Sequence, residues 1–485
     1  MELKMLKRRL AACFLAAMLA VPGALPARAA VYGDVDGDGL FDIVDVLTIR
    51  KWIHGVGKLP DARAADLDRS GTVDIFDLAV AKNMLVSSDL SSGSVKMTPA
   101  HTDPDTASTT REFRVGQYTF AAELMKRVAA EGENVLISPY SAMMALSMTN
   151  AGARGETRDA MDAALGGVPH DLLIGQLATV REAQTDVFKT ANAIWVKNGY
   201  PLRETFLDTC ARQFDAPVYA APFDQSTVDD INKWVRSRTD RMVPHLIDRL
   251  ADNAMVCLVD AVSFDDTWAA PYDLENAVLD GVFTCADGTE VPITAMHSQE
   301  TYYLESAYAT GFMRPYSNWR YAFVGILPKD GMTPEGYIAR LDADEMTKMM
   351  TPLPPIELPD GGVRGWDVHA MIPAFSSRTS LMLNDVLIDM GMGPAFSADE
   401  ADFGGMADGV APGDLYIGEV LHKTAIDVNT EGTRAAAATI VEMVEKGIAH
   451  ADGEPVSVIL DRPFVYMIVD RAEALPLFIG TVDRV

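Results

Sequence analysis

The sequence predicts an α+β fold: a large domain on a broad mixed or antiparallel sheet with surrounding helices, preceded by a small all-α module. Three observations predict it. A duplicated acidic loop, each copy running into an apolar-periodic helix, occupies residues 34–85. Helical spacing then opens the long remainder: Phe120, Leu124 and Val128 recur every four residues, and Asn232 and Val235 belong to another helical run. β-rich runs follow at 254–264, 320–327, 415–428 and 456–469. Helices first and strands mostly later is the α+β order.

A chain of 485 residues has room for two or three domains, and 48% apolar content supplies a large core. The formal net charge is -28, from 41 Lys+Arg against 69 Asp+Glu. A nucleic-acid partner is therefore not expected, because a phosphate backbone would be repelled. The ordinary reading of the acidity is solubility, and the other is that some acids are cation ligands.

Lys4, Lys7, Arg8 and Arg9, an apolar run over 10–21 and the small-x-small site Ala27-Arg28-Ala29 read as a secretory signal peptide over 1–29. The run is too short to span a bilayer, and no other stretch is long enough, so a secreted, extracellular protein without a membrane anchor is expected. Leu10-Ala11-Ala12-Cys13 mimics a lipoprotein cleavage box but stands at the start of the apolar run rather than after it. Removing the signal leaves Cys210, Cys257 and Cys285, with no close-paired spacing for a disulfide framework or a zinc site. Cys257 lies in an apolar run and reads as a small buried side chain.

The acidic motif beginning at Asp34 is repeated 32 residues later from Asp66. Oxygen ligands at positions 1, 3, 5 and 12 of a loop, with Gly at 6 for the bend, are what wrapping a Ca²⁺ ion requires. In the first loop the ligands are Asp34, Asp36, Asp38 and Asp45 with the Leu40 carbonyl. In the second they are Asp66, Asp68, Ser70 and Asp77 with the Thr72 carbonyl, the neutral Ser70 being the weaker ligand. Two Ca²⁺ ions are expected there and no cofactor in the large domain. Residues 89–111, rich in Ser, Thr and Pro, read as a flexible linker, and 112–485 as the large domain.

No catalytic constellation appears in the large domain. His-Glu-x-x-His, Gly-x-Ser-x-Gly and a Gly-rich phosphate loop are missing, the eight histidines are scattered, and Asp287-Gly288-Thr289 is not the aspartic-protease triplet. An enzyme is not expected. The distinctive segment is 429–444. Its alanine tract alone would suit a helix, but it follows a β-rich run. Read as a strand, one face carries Thr433, Ala435, Ala437, Thr439, Val441 and Met443. The other carries Arg434, Ala436, Ala438, Ile440, Glu442 and Val444, so both charges share one face. A segment that slides into a sheet above a packed core needs that pattern.

The duplicated loop-plus-helix with Asp at position 12 resembles a dockerin over about residues 31–88. That resemblance implies docking to a cohesin on a cellulosome-type scaffold, through Ile43, Val44, Arg50 and Lys51, then Ile75, Phe76, Lys82 and Asn83. Core packing is the other reading of Ile43 and Ile75. The large domain resembles a serpin with an inhibitory-type hinge. The match is carried by the runs at 134–141, 152–157, 191–195, 231–235, 399–405, 462–464 and 477–480, together with Gly432, Thr433, Arg434, Ala435, Ala436, Ala437, Ala438 and Thr439.

The serpin resemblance implies a monomeric protease inhibitor whose exposed loop is cleaved as bait and then inserts into the central sheet. The family spacing of fifteen residues from the hinge glycine Gly432 puts the reactive bond at Lys446–Gly447, which suits a trypsin-like target. Met443, Val444 and Ile448 leave chymotrypsin-, elastase- or subtilisin-like targets open. A cysteine-protease target, or a non-inhibitory serpin acting as a scaffold-bound binding or structural protein, is the alternative. The resemblance also implies a hydrogen-bonded shutter of Ser138, Ser141, Asn232 and His422 beneath the opening sheet, and Trp268 at the sheet top. Thr430 and Glu290 stand where an acid and a base are usual, which implies that the customary salt bridge there is missing.

Overall fold

The computed structural model describes Val35 and residues 43–67, 72–78, 81, 94–99, 103–130, 132–239, 245–251, 254–329, 331–357, 362–433 and 455–485. The expected signal peptide, the loop ligands Asp34, Asp36, Asp38, Leu40, Asp68 and Ser70, and the segment from Arg434 through the Lys446–Gly447 bond lie outside the described residues. The chain divides into two compact units, Met1–Asp89 and Leu90–Val485.

The first unit is built by its repeat. Helix α1 (Ile43–Ile53) and the helical residues 75–78 are the two copies' helices. The buried core is Val35, Val46, Ile49, Ala65, Leu67, Leu78 and Ala81. Six of these are repeat mates 32 residues apart, Val35 with Leu67, Val46 with Leu78 and Ile49 with Ala81. One copy alone could not bury its apolar stripe, and the duplicate supplies the other half. The short helix α2 (Ala62–Ala65) starts at Asp61, whose carboxylate accepts from the amides of Arg63 and Ala64 at 2.9 and 3.1 Å.

The second unit opens with helices, as the periodicity predicts: α3 (Arg111–Val128), α4 (Pro139–Asn150), α5 (Gly155–Ala164), α6 (His170–Glu182), α7 (Glu204–Phe214) and α8 (Gln225–Arg238). The cap chemistry is local. Thr110 Oγ1 accepts from Phe113 N at 3.1 Å, and Ser138 followed by Pro139 starts α4.

The strands in chain order are β1 (Val95–Lys96), β2 (Leu136–Ile137), β3 (Phe188–Lys197), β4 (Val218–Ala221), β5 (Val256–Phe264), β6 (Asp266–Thr267), β7 (Val278–Thr284) and β8 (Glu290–Glu300). There follow β9 (Tyr302–Glu305), β10 (Ala309–Pro315), β11 (Tyr321–Pro328), β12 (Ile356–Glu357), β13 (Val363–Arg364), β14 (Val368–Pro373) and β15 (Phe375–Met382). The last are β16 (Ile417–Val428), β17 (Gly432–Thr433), β18 (Val456–Ile459), β19 (Phe464–Asp470) and β20 (Leu475–Val482). The largest sheet runs β1-β4-β3-β5-β16-β17-β6, with β15 paired to the other edge of β16. A second sheet runs β2-β20-β19-β11-β10-β9, a third β18-β14-β8-β7, and β12 pairs β13. The β-rich run at 456–469 is two strands in different sheets, because Pro463 and the turn before it redirect the chain.

β5 is buried along its whole length. Val256, Leu258, Val262 and Phe264 face the main core, while Cys257, Val259 and Ala261 face a second core under α8. Trp195 of β3 meets Trp234 of α8 edge-on there, ring centroids 5.5 Å apart. A strand covered on both faces needs a continuous apolar run, which is how it reads in sequence.

The segment expected to be a flexible linker is docked where it is described. β1 pairs antiparallel with β4, and Met97 N donates to Val218 O at 2.7 Å. Further on, Ala107 N donates to Gly175 O at 3.0 Å, Thr179 Oγ1 donates to Ala107 O at 2.7 Å, and Thr110 N donates to Gln176 Oε1 at 3.0 Å. The composition is that of a linker, but the exposed edge of β4 supplies unpaired backbone groups that this segment satisfies. Limited proteolysis should spare residues 94–97 and 103–110; cutting there at the rate of an unfolded peptide would contradict the docking.

His170, at the start of α6, is 6% exposed, and its Nδ1 lies 3.2 Å from Asn150 Nδ2. Burial, with Arg158 nearby, lowers its pKa from 6.5 to about 4. The folded value is depressed, so this contribution to stability is whole above about pH 6.5 and drains away as the pH falls towards 4. Denaturant titrations should show a loss of roughly 3 kcal/mol over that window, and the His170→Gln variant should lack that component of the slope.

Candidate functional site

The site is the seam between β5 and β16. These strands run parallel from Ile417 opposite Val256 to Thr424 opposite Val262, with a one-residue bulge between Ile417 and Glu419 and regular pairing from Glu419 onward. Parallel neighbours leave room for a strand running the opposite way between them, which would exchange one parallel ladder for two antiparallel ones, each slightly more stable per residue.

A buried polar cluster ties the seam shut. His422 lies opposite Asp260 across it, and its Nδ1 is 2.7 Å from Asp260 Oδ2. Ser138 N donates to His422 Nε2 at 3.0 Å, so the ring's own proton sits on Nδ1 and points at the carboxylate. Ser141 Oγ donates to Asp260 Oδ1, and Ser138 Oγ donates to Leu477 O at 2.7 Å. All four side chains are at most 1% exposed. The cluster joins both seam strands to the N-terminus of α4 and to β20.

Ser138, Ser141 and His422 are thus brought together, but Asn232 is not with them. Its carboxamide holds the chain after α8, accepting from Leu246 N and Ile247 N at 2.6 and 3.0 Å and donating to Ile247 O at 2.7 Å. Asp260 takes the place assigned to Asn232. It lies mid-strand in an apolar run, and the one sequence signal was that isolated acid in a buried strand. An acid there needs donors, and His422 and Ser141 supply them.

At the top of the seam β17 is already seated. Thr433 pairs antiparallel with Val428 of β16 and with Asp266 of β6, and Gly432 pairs with Thr267. A turn at Asn429 makes this possible, its Oδ1 accepting from Glu431 N and Gly432 N at 2.8 and 3.3 Å. A Cβ on Gly432 would lie 2.0 Å from Asp266 O, so the position admits only glycine. Thr433 is fully buried and bonds the Tyr316 hydroxyl.

Trp268 lies at the top of the seam. Its Nε1 donates to Asn429 O at 2.9 Å, and its ring stacks on Tyr316 at 4.8 Å. Arg314, which sequence reasoning missed, lies over Trp268 and Tyr272 at 5.1 and 4.2 Å and ion-pairs with Glu300. Burial raises the Tyr272 pKa to about 12, so its hydroxyl stays neutral beside this pair. Glu290 is exposed at the other end of β8 from Glu300 and Thr430 lies in the turn, so this ion pair is made by residues that no local motif marks.

In the first unit Asp45 and Asp77, at position 12 of each loop, are at most 1% exposed. Each accepts the amide of its loop's position 2, Val35 N to Asp45 Oδ1 and Leu67 N to Asp77 Oδ1, both at 2.7 Å. Asp66 and Thr72 are also described. Buried carboxylates in two matching loops with an all-oxygen ligand set fit a hard divalent cation. Of the expected docking positions, Arg50 and Lys51 are exposed on α1, and Ile75 and Phe76 are 57% and 67% exposed, which removes the core-packing reading of Ile75. Ile43 and Val44 lie in the first turn of α1 with side chains outside the described set, and Lys82 and Asn83 lie outside the described residues.

Removing His422 would leave the buried Asp260 carboxylate with Ser141 as its one remaining side-chain donor. His422→Ala should cost about 3–5 kcal/mol in denaturant-derived stability. Asp260→Asn, which keeps an acceptor for Nδ1–H, should cost about 1 kcal/mol, and the double variant should lose less than the sum of the two. Additive losses would show that the pair is not coupled.

Comparisons with known proteins agree with this geometry. The family model described as serpin (serine protease inhibitor) matches residues 116–484, and the dockerin type I domain model matches residues 32–86. An uncharacterised serpin-like protein of Methanosarcina acetivorans is 28% identical over 377 residues, 75% of this chain and 84% of that protein. Human neuroserpin is 29% identical over 378 residues, 73% of this chain and 87% of its own length. The native-state crystal structure of tengpin, a thermophilic serpin, superposes with a TM-score of 0.72 at 33% identity, covering 81% of this chain and all of that one. With its sheet topology and family match in agreement, the chain belongs to the serpin family and carries a dockerin type I domain ahead of its serpin domain.

Proposed function

We propose that this chain is a secreted inhibitor of serine proteases, acting by suicide insertion of its own loop and carried on a scaffold through its dockerin. The observation that carries the reading is β17. The first two hinge residues already run antiparallel between the tops of β16 and β6, so further insertion extends an existing strand instead of nucleating one. About a dozen inserted residues at net ~1 kcal/mol per ladder hydrogen bond give a substantial drive, with burial of Ala435, Ala437, Thr439, Val441 and Met443 added to that of Thr433, which is already made. The seam remains closed until cleavage, a kinetic trap. Lys446–Gly447 is the reactive bond on this reading, with a trypsin-like target. The first unit holds two Ca²⁺ ions and presents Arg50, Lys51, Ile75 and Phe76 to a cohesin.

Incubation with trypsin should give an SDS-resistant complex and release a C-terminal peptide beginning at Gly447; a different first residue relocates the bond. Nicking the loop should raise the thermal midpoint strongly. Thr433→Arg, which puts a charge in a fully buried site, should convert the inhibitor into a substrate with no complex formed. Neither complex nor stability gain with any serine protease would identify a non-inhibitory serpin. Chelation should abolish cohesin binding and unfold the first unit while leaving complex formation intact.

A further inference from the structure

In a chain of net charge -28, one cavity gathers positive charge. It holds about 260 Å³ in the second unit, at the end of α6, the start of β3 and the C-terminal turn of α8. Arg181, Lys189 and Arg238 face it against a single carboxylate, Asp215. Phe214 and Trp234 supply flat apolar walls, and the Arg238 guanidinium lies 5.8 Å over the Trp234 ring. Lys96 of β1 lies beside the site, and its pKa is lowered by burial first and by Arg238 second.

Among the residues lining this space, Arg181 and Asn192 each carry a buried polar atom that makes no hydrogen bond. Arg181 is 10% exposed; Nη2 bonds Glu182 Oε1 and Arg212 O, at 2.7 and 3.4 Å, while Nη1 is buried and bonds nothing. Asn192, 6% exposed, has a buried Oδ1 that bonds nothing. A donor or acceptor left like this is costly, and a ligand that satisfies it recovers that cost. The backbone adds donors. Ile194 N points outward to Pro217 O at 3.1 Å, so the amides of Thr190 and Asn192 turn to the same edge. The pairing with β4 begins only at Ile194, leaving the β3 edge at 190–192 facing the cavity.

We infer that this cavity is a binding site for a small organic anion, a single flat ring bearing a carboxylate and a hydroxyl. The carboxylate lies among Arg181, Lys189 and Arg238 and the edge amides, the ring against Phe214 and Trp234, and the hydroxyl donates to Asn192 Oδ1. Such a ligand ties α8 to β3, two elements packed beside the seam.

The test is calorimetric titration of the full chain with 4-hydroxybenzoate at low ionic strength, beside benzoate, the uncharged methyl ester and inorganic sulfate. One saturable site is expected, weakened about tenfold or more in Arg238→Ala, an exposed position whose loss should leave the fold intact. Benzoate should bind more weakly, the ester and sulfate far more weakly, and the ligand should raise the thermal midpoint of the parent chain but not of Arg238→Ala. No saturable binding, binding unchanged in Arg238→Ala, or sulfate binding as tightly as 4-hydroxybenzoate would each overturn the assignment.

Discussion

The parallel contact between β5 and β16 is the constraint on which the rest of the second unit depends. Both strands are buried, so the sheet cannot part there without disturbing a core on either face. What holds it is polar as well as apolar. His422 and Asp260 face one another across the seam, and the N-terminus of α4 clamps them through Ser138 and Ser141. Such a cluster costs desolvation and is only worth keeping when every member is satisfied. Here the carboxylate has two donors and the ring has one partner on each nitrogen. The same cluster that stabilises the closed sheet must be broken strand by strand if the sheet opens, which makes it a barrier as well as a support.

The top of the seam has the opposite character. Between Thr424 and Val428 the chain leaves β5, and the space is taken by the two residues of β17 running antiparallel. Gly432 passes so close to Asp266 that no side chain fits, and Thr433 is sealed under Tyr316 and Trp268. The buried Arg314–Glu300 pair braces that aromatic stack from the side. The sheet is therefore tied by polar contacts in its middle and already occupied by a short antiparallel strand at one end.

The two units differ in how openly their sequences speak. In the first, ligand spacing, glycine position and apolar stripe all lie within one short repeat, so the loop chemistry and the core could be read without tertiary information. Val35, Val46 and Ile49 and their mates Leu67, Leu78 and Ala81 make one core because the motif is duplicated. In the second unit the helical periods, the β-rich runs and the alternation beyond Gly432 were legible for the same reason: each depends on side chains two to four residues apart. The docked segment around Val95 and Ala107 was not, because its partners, β4 and α6, are more than sixty residues away and its composition is that of a linker.

The sequence by itself determined the α+β class, the duplicated acidic loops, and Ser138, Ser141, His422 and Trp268 as residues of interest. These follow from local spacing and from motifs. The tertiary structure alone decided who meets whom. Asn232 pairs with the chain after α8 and Asp260 stands in the seam, because strand register and helix packing choose partners that sequence proximity does not. Arg314 finds Glu300 because β10 returns antiparallel to β9, which brings its end back to the end of β8. The anion-binding cavity likewise exists only because α6, β3 and α8 bring Arg181, Lys189 and Arg238 together from distant positions. Long-range electrostatics and burial leave no local trace, and there the folded chain has to be consulted.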